Sequence, residues 1–481
     1  MSDPLSFLPL ALAARAGIID GAPASQHVAA GLTLLQRSAP LVRALAGRRA
    51  GILLPTSPAF LTALAASEGR GAVLMNPLAS HAELAYQIAD ANVGAVFTSN
   101  ALAGLLPENV AVALLDAAPR SARVVVSGSA RDIDLGSHFA LAIEGDPDAA
   151  GSDEEAVVVY TSAMHGRPVG AILSHGNLLL DSRGTVGAAG LAEGDHVLAA
   201  LPLSHLFGLV ISAVAPLLVG ARVTTMAHFQ PARALDAFER GGVTVFVGVP
   251  AMYLAMLGTL ASREGQRFSS QSLRLCVCGG APLAPDVQRR WRDATGIELR
   301  QGYGLTEASP VVLFNRVGTP NAIGSLGQPY ADVEVSIRDL RDFNPLPDGA
   351  VGEICVRGDT VFQGYVRPRS APPPRGLDVT DGWLRTGDLG RRLPDGGVEF
   401  RGVTKAMFTH NGFNIYPREL ELAIAELPGV AAVRVSALPD PMRENVIEVS
   451  ITGAVSVEDV RLWCASRLGA YKQPSVIRIV A

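Results

Sequence analysis

Through its middle the chain alternates short β-branched runs with longer Ala/Leu-rich stretches, and no other feature constrains the fold as tightly. Gly51-Ile-Leu-Leu-Pro55 and Val157-Val-Val-Tyr160 read as buried strands, and 59–68 as an amphipathic helix leading into a second strand over 69–76. Positions 243–249 and 273–278 repeat the short-strand pattern, each followed by a helix that opens on a proline, Pro250 or Pro285. Units of this kind close only as βαβ crossovers, so the fold class is α/β with parallel sheet. Between 333 and 357 the period shifts toward two, which predicts antiparallel strands, and 368–374 is a Pro-rich surface loop. Near residue 400 the composition changes again. A helix starting at Pro417, strands over 430–438 and 446–451, and a helix over 457–468 predict a small α+β unit. The expected organisation is one large domain over 1–400 and a small, mobile one over 401–481.

The chain's 481 residues match about three domains of average size, or one large domain and a small one. A net charge of −5, with 18% charged and 48% hydrophobic residues, excludes a disordered chain and a basic nucleic-acid binder. Four cysteines in a chain of this length make no disulfide framework, so a reducing, cytoplasmic setting is expected. The start, Met1-Ser2-Asp3-Pro4, carries an acid where a signal peptide carries positive charge. The apolar stretch 201–221 contains His205, Gly208, Pro216 and Gly220, which predicts buried core and no membrane span. Lysine is nearly absent: Lys405 and Lys472 are the only two, so chemistry that needs a side-chain amine has little to draw on.

Three segments carry chemistry. The first is the Gly- and hydroxyl-containing turn over 160–170 (Tyr-Thr-Ser-Ala-Met-His-Gly-Arg-Pro-Val-Gly), after a strand and before Ser174-His175-Gly176-Asn177. Turns of this type present backbone N–H groups to phosphates, although this one is depleted and alone reads as an ordinary loop. The second is Gln301-Gly-Tyr-Gly-Leu-Thr-Glu307, where two glycines let backbone approach a flat ligand beside the Tyr303 ring. Thr306 and Glu307 add oxygens suited to phosphate and Mg²⁺. The third, Asp381-Gly-Trp-Leu-Arg-Thr-Gly-Asp388, ends on an acid that can hold ribose hydroxyls.

These three segments come in order with Pro202-Leu-Ser-His-Leu-Phe-Gly208, Gly279-Gly-Ala-Pro-Leu283, Gly352-Glu-Ile-Cys-Val-Arg-Gly358 and Gly412-Phe-Asn-Ile-Tyr-Pro-Arg-Glu-Leu-Glu421. In that combination the chain resembles, nearly end to end, the superfamily of AMP-forming acyl-CoA synthetases, luciferases and adenylation domains. The segment 412–421 makes it most similar to the fatty-acyl and aryl-acyl CoA ligases. The resemblance implies a fold of the adenylate-forming type and a two-step ligase using ATP, Mg²⁺ and CoA, or the phosphopantetheine thiol of an acyl carrier protein. A carboxylic acid, with a fatty acid the first expectation, becomes an acyl-AMP, and the thiol then displaces AMP.

By position, the resemblance places Thr161, Ser162, Gly166, Gly280, Ala281, Pro282, Gly302, Tyr303, Gly304, Thr306 and Asp388 at the nucleotide. It places His205, Val249, Cys278 and Gly279 at the acyl group, Glu307 at the metal, and Lys405 at a hinge between the domains. His205, Thr306, Glu307 and Lys405 form the implied catalytic set.

Departures from the family pattern cluster on phosphate-handling groups. Ala163, Met164 and His165 stand where relatives have Gly, a hydroxyl residue and Thr, and Val169 stands where they have Lys. Val403 replaces an Arg, Ala406 an acid and Thr409 a second Lys, and the family's terminal Gly-Lys segment is expected beyond Pro474. Preorganised positive charge at such sites is worth roughly a few kcal/mol per group, so an impaired adenylation step is expected. His165 and Arg167 are the available substitutes. Two other classes stay open: a pseudoenzyme that binds an adenylate or acyl ligand, and a half-enzyme that performs only the thioester transfer. Elsewhere the readings are plain. Cys276, Cys278, Cys355 and Cys464 are core, His175 is a hydrogen-bonder at a helix start, and Arg434, Arg443, Arg461 and Lys472 are surface.

Overall fold

The computed structural model describes residues 3–67, 70–116, 120–136, 141, 143–146, 149–161, 168–263, 267–330, 332–366, 379–404 and 407–480. Two nine-stranded sheets form the large domain. In one, the strands His196–Ala199, Val245–Gly248, Leu275–Cys278 and Leu299–Tyr303 run parallel and side by side. The first three are buried along their whole length, the condition that turns parallel strands into short unbroken apolar runs. Helices Pro250–Ala261 and Pro285–Thr295 return the chain between neighbours, each opening on the predicted proline. In the other sheet, Arg49–Leu53, Ala72–Leu74 and Val93–Thr98 are parallel, and Glu155–Thr161 pairs in antiparallel fashion with Val169–Ser174.

Two expectations change with packing. The helix Ala59–Ser67 is buried at all nine positions, because it lies beneath Ala24–Arg37 as well as on the sheet; an amphipathic face has no place there. Lys472, expected at the surface, is 2% exposed. The apolar stretch around 201–221 is core as predicted. Its helical segment Phe207–Val214 is buried throughout, and no described helix is long and apolar enough to cross a membrane. All four cysteines are buried thiols. The Pro-rich segment 368–374 lies outside the described residues.

A third sheet joins Val333–Arg338, Gly352–Gly358 and Trp383–Arg392 in antiparallel order, and Val398–Val403 adds to its edge with Asp388 opposite Val403. Beyond it come the hairpin Phe408–His410/Phe413–Ile415, the helix Pro417–Ala425, the paired strands Val430–Asp440 and Glu444–Gly453, the helix Val457–Arg467 and the strand Val476–Val480. These elements bury a core of their own around Ile415, Leu420, Ile424, Ile447, Val449 and Val460.

The small domain docks on the helix His81–Asp90 of the large one. The Ser80 hydroxyl donates to the Arg467 carbonyl at 2.9 Å, and the Ala470 N–H donates to the Leu78 carbonyl at 2.8 Å. Lys472 lies across this seam, its ammonium donating to Glu83 of the large domain at 2.7 Å and to Glu419 of the small one. Burial alone would lower the pKa of this amine, but Tyr471, Glu419 and Glu83 together hold it above the usual lysine value. It is therefore a buried cation between two acids, one on each side of a domain boundary.

Candidate active site

A cavity of about 1510 Å³ opens where the small domain meets the strand ends of both large sheets. Crevices at the carboxyl ends of parallel strands are where α/β sheets bind ligands, since the chain there is free of the ladder. Gly280, Ala281 and Pro282 follow the strand Leu275–Cys278 onto its wall; Gly302, Tyr303, Gly304, Thr306 and Glu307 follow Leu299–Tyr303. Thr161, His205 and Asp388 reach the same space from three other elements. Gly402, Val403, Gly412, Tyr416 and Lys472 line it from the far side.

The loop carrying Thr306 and Glu307 is fixed from several directions. At Gly304 a Cβ would lie 1.8 Å from the Pro310 carbonyl oxygen, so only glycine allows the loop to fold back on itself there. The Val311 N–H donates to Asp181 at 3.1 Å, and the Phe362 N–H donates to the Glu307 carbonyl at 2.9 Å. Asp181 is fully buried, which raises its pKa well above the usual carboxylate value. Glu307 itself is 4% exposed, and its Oε1 accepts from the Tyr365 hydroxyl at 2.8 Å and from Thr161 Oγ1 at 3.4 Å. One carboxylate among hydroxyls fits a magnesium ion held mainly by phosphate oxygens, because Mg²⁺ keeps few protein ligands. The described residues hold no cluster of three or more His, Cys, Asp or Glu that could cage a metal by themselves.

Asp388 is set by the turn before it. The Thr386 hydroxyl donates to the Ile354 carbonyl and accepts from the Asp388 N–H at 3.1 Å, while the Gly387 N–H donates to Glu353 at 2.9 Å. Tyr303 donates its hydroxyl to Asp388 Oδ2 at 2.7 Å, so the ring at the floor and the acid at the wall form one unit. Burial first, and the neighbouring Asp388 second, push the Tyr303 pKa well above the usual phenol value, which keeps the phenol a donor. The His205 ring is open to the cavity but lies deep between the domains. Loss of bulk hydration lowers its pKa, so the imidazole is neutral at pH 7. Its Nδ1 accepts from the Phe207 N–H at 3.2 Å, which leaves the proton on Nε2.

Three of the residues that the resemblance places at the acyl group are not among those lining the cavity. Cys278 is fully buried in its strand, and at Gly279 a Cβ would sit 3.0 Å from the Phe207 ring, so that ring covers the position. Val249 meets the small domain instead: a Cβ on Gly412, whose φ is +79°, would lie 3.0–3.2 Å from three of its side-chain carbons. Ser162, Gly166 and Lys405 lie outside the described residues, as do His165 and Arg167. Val169 and Val403 both line the cavity.

Sequence reasoning passed over Tyr365, Tyr416 and the Lys472 seam. Tyr416 stood within the segment 412–421, quoted there as a signature and not as a group with a hydroxyl to place. Lys472 offered no signal, because its partner Glu83 is 389 residues away in sequence.

Residues 36–366 match the family described as AMP-binding enzyme. The feruloyl-CoA synthase of an Amycolatopsis species is 32% identical over 480 residues, covering 96% of this chain and 93% of that protein. A long-chain-fatty-acid–CoA ligase of Bacillus subtilis is 27% identical over 460 residues, covering 89% and 81%. Among solved structures, a double mutant of o-succinylbenzoate-CoA synthetase from Bacillus subtilis, bound with its product analogue, superposes with a TM-score of 0.79 at 25% identity. That likeness covers 96% of this chain and 91% of the other.

Proposed function

The chain belongs to the AMP-binding enzyme family, and from that premise we propose that it joins a carboxylic acid to the thiol of coenzyme A through an acyl adenylate. One observation carries this reading: a single cavity gathers Tyr303, Thr306, Glu307, Asp388 and His205 from separate elements, with the small domain closing it. In the first step the carboxylate attacks the α-phosphate of ATP; an O–P bond forms and pyrophosphate leaves. In the second the thiol sulfur attacks the acyl carbonyl; a C–S bond forms, the C–O bond to phosphate breaks, and AMP leaves. Asp388, with Tyr303 donating to it, holds the ribose hydroxyls, and Gly280 to Pro282 flank the base. Thr306 donates to phosphate and neutral His205 donates from Nε2 to the acid's oxygen. A magnesium ion at Glu307 would supply neutralisation of the phosphates.

Fatty and aromatic acids are the classes to try first in this reading, since both kinds of ligase are among the relatives, with the charged sulfoacetate of a third relative as the contrast. Val169 and Val403 support a slow first step: both face the cavity where the family pattern has cations, and preorganised charge there contributes about 10²–10³ in rate per group. The acceptor thiol is that of CoA or of a carrier protein's phosphopantetheine.

The test supplies purified protein with Mg-ATP, CoA and a panel of fatty and aromatic acids, and in parallel with preformed acyl-AMP and CoA. Thioester from both routes, slower from the acid, is the expected result. Thioester from acyl-AMP alone would identify a half-enzyme, and none from either route would refute the ligase reading.

A further inference from the structure

Tyr416 immediately precedes the helix Pro417–Ala425 of the small domain, yet it lines the cavity with Glu307 and Asp388 of the large one. The residue is 9% exposed, so its ring is packed in place. Its hydroxyl has no hydrogen-bond partner among the described residues, unlike those of Tyr303 and Tyr365, which donate to Asp388 and Glu307. Burial foremost, then the nearby charges of Glu307 and Asp388, push the Tyr416 pKa above the ordinary phenol value. The phenol therefore keeps its proton across the physiological range. A neutral donor near two carboxylates is a useful combination at this point in the site. It can bind an anion without adding to the negative charge, and the vacant donor leaves a bond to be made by whatever fills the cavity.

We propose that the Tyr416 hydroxyl is a ligand-binding group that the small domain carries into the site, donating a hydrogen bond to the phosphate of bound AMP or acyl adenylate. This rests on the nucleotide-site reading above and adds to it a contact made across the domain boundary. Ring position is secured by the seam next door, because Glu419, one turn further along the same helix, is tied through Lys472 to Glu83. The small domain thus reads the phosphate only while it is docked.

Calorimetric titration of AMP and of adenosine into wild type and Tyr416→Phe tests this. The substitution removes one hydroxyl and leaves the packed ring. A hydrogen bond to a charged phosphate predicts a dissociation constant for AMP raised about ten- to hundredfold, with that for adenosine unchanged within about twofold. In a Lys472→Met background, where the small domain is released, Tyr416→Phe should add nothing further. Equal affinity of Tyr416→Phe and wild type for AMP overturns the proposal. So does a matching loss for AMP and adenosine, since that would mean the ring acts by packing. If wild type binds neither compound, the nucleotide-site reading itself is refuted and the phosphate contact falls with it.

Discussion

Replacing Lys472 by methionine isolates the seam between the domains. The side chains of Lys472, Glu83 and Glu419 are 3%, 13% and 7% exposed, so the substitution leaves two buried carboxylates facing each other with no cation between them. Removing one partner from a buried charge pair typically costs about 3–5 kcal/mol, most of it the uncompensated charge that remains. Both domains have their own cores, so that cost is relieved by separating them before either unfolds. The Ala470 N–H, bonded to the Leu78 carbonyl across the seam, reports the separation. At about 1.4 kcal/mol per tenfold, its hydrogen exchange should quicken by at least roughly a hundredfold, while amides in the strand Leu275–Cys278 keep the wild-type rate. Glu83→Gln, which leaves the Lys472–Glu419 pair intact, should cost only about 1 kcal/mol and quicken the same amide by less than tenfold. Exchange at Ala470 within threefold of wild type in Lys472→Met would refute the assignment of this triad as what holds the domains together.

Two further outcomes follow from the large domain. Gly304→Ala places a methyl 1.8 Å from the Pro310 carbonyl oxygen; it should lower the stability of the loop by about 2–4 kcal/mol and abolish AMP binding in titration, with the fold otherwise kept by circular dichroism. His175 is held near a pKa of about 4 by burial, with Nδ1 accepting from the Leu8 N–H. Its folded pKa lies below the ordinary 6.5, so between pH 6.5 and about 4 the unfolded chain takes up a proton that the folded one refuses. Stability is therefore full above pH 6.5 and falls by up to about 1.4 kcal/mol per pH unit below it, and His175→Asn should flatten that limb of a urea-midpoint profile.

The parts of the site readable from sequence are those built from neighbours in the chain. Gly302, Tyr303, Gly304, Thr306 and Glu307 lie within six residues, and their spacing suggests backbone access, a flat ring, then oxygens, a reading that the resemblance of the other segments lifts above an ordinary turn. Asp388 by itself reads as a turn residue, and only the resemblance singles it out. What escaped depends on pairs distant in sequence. The periodicity of 59–68 suggested an outer face because nothing local records that Ala24–Arg37 covers it. Val249, Cys278 and Gly279 lie at the correct end of the sheet, but their surroundings come from distant segments: the Phe207 ring covers Gly279, and Gly412 of the small domain meets Val249. Lys472 reads as a surface lysine by every local rule, and two acids from two domains overrule it.

The scarcity of lysine turns that seam into an instrument. With only two lysines in 481 residues, and one of them enclosed between carboxylates, amine-directed reagents have very few side chains to find. Acylation of Lys472 requires the domains to part and the amine to shed its proton, so the rate at which its tryptic peptide gains a label counts openings directly. Added nucleotide, acid or thiol would each change that rate by as much as it favours the closed arrangement over the open one. A native side chain would thus report any separation of the domains without an introduced probe.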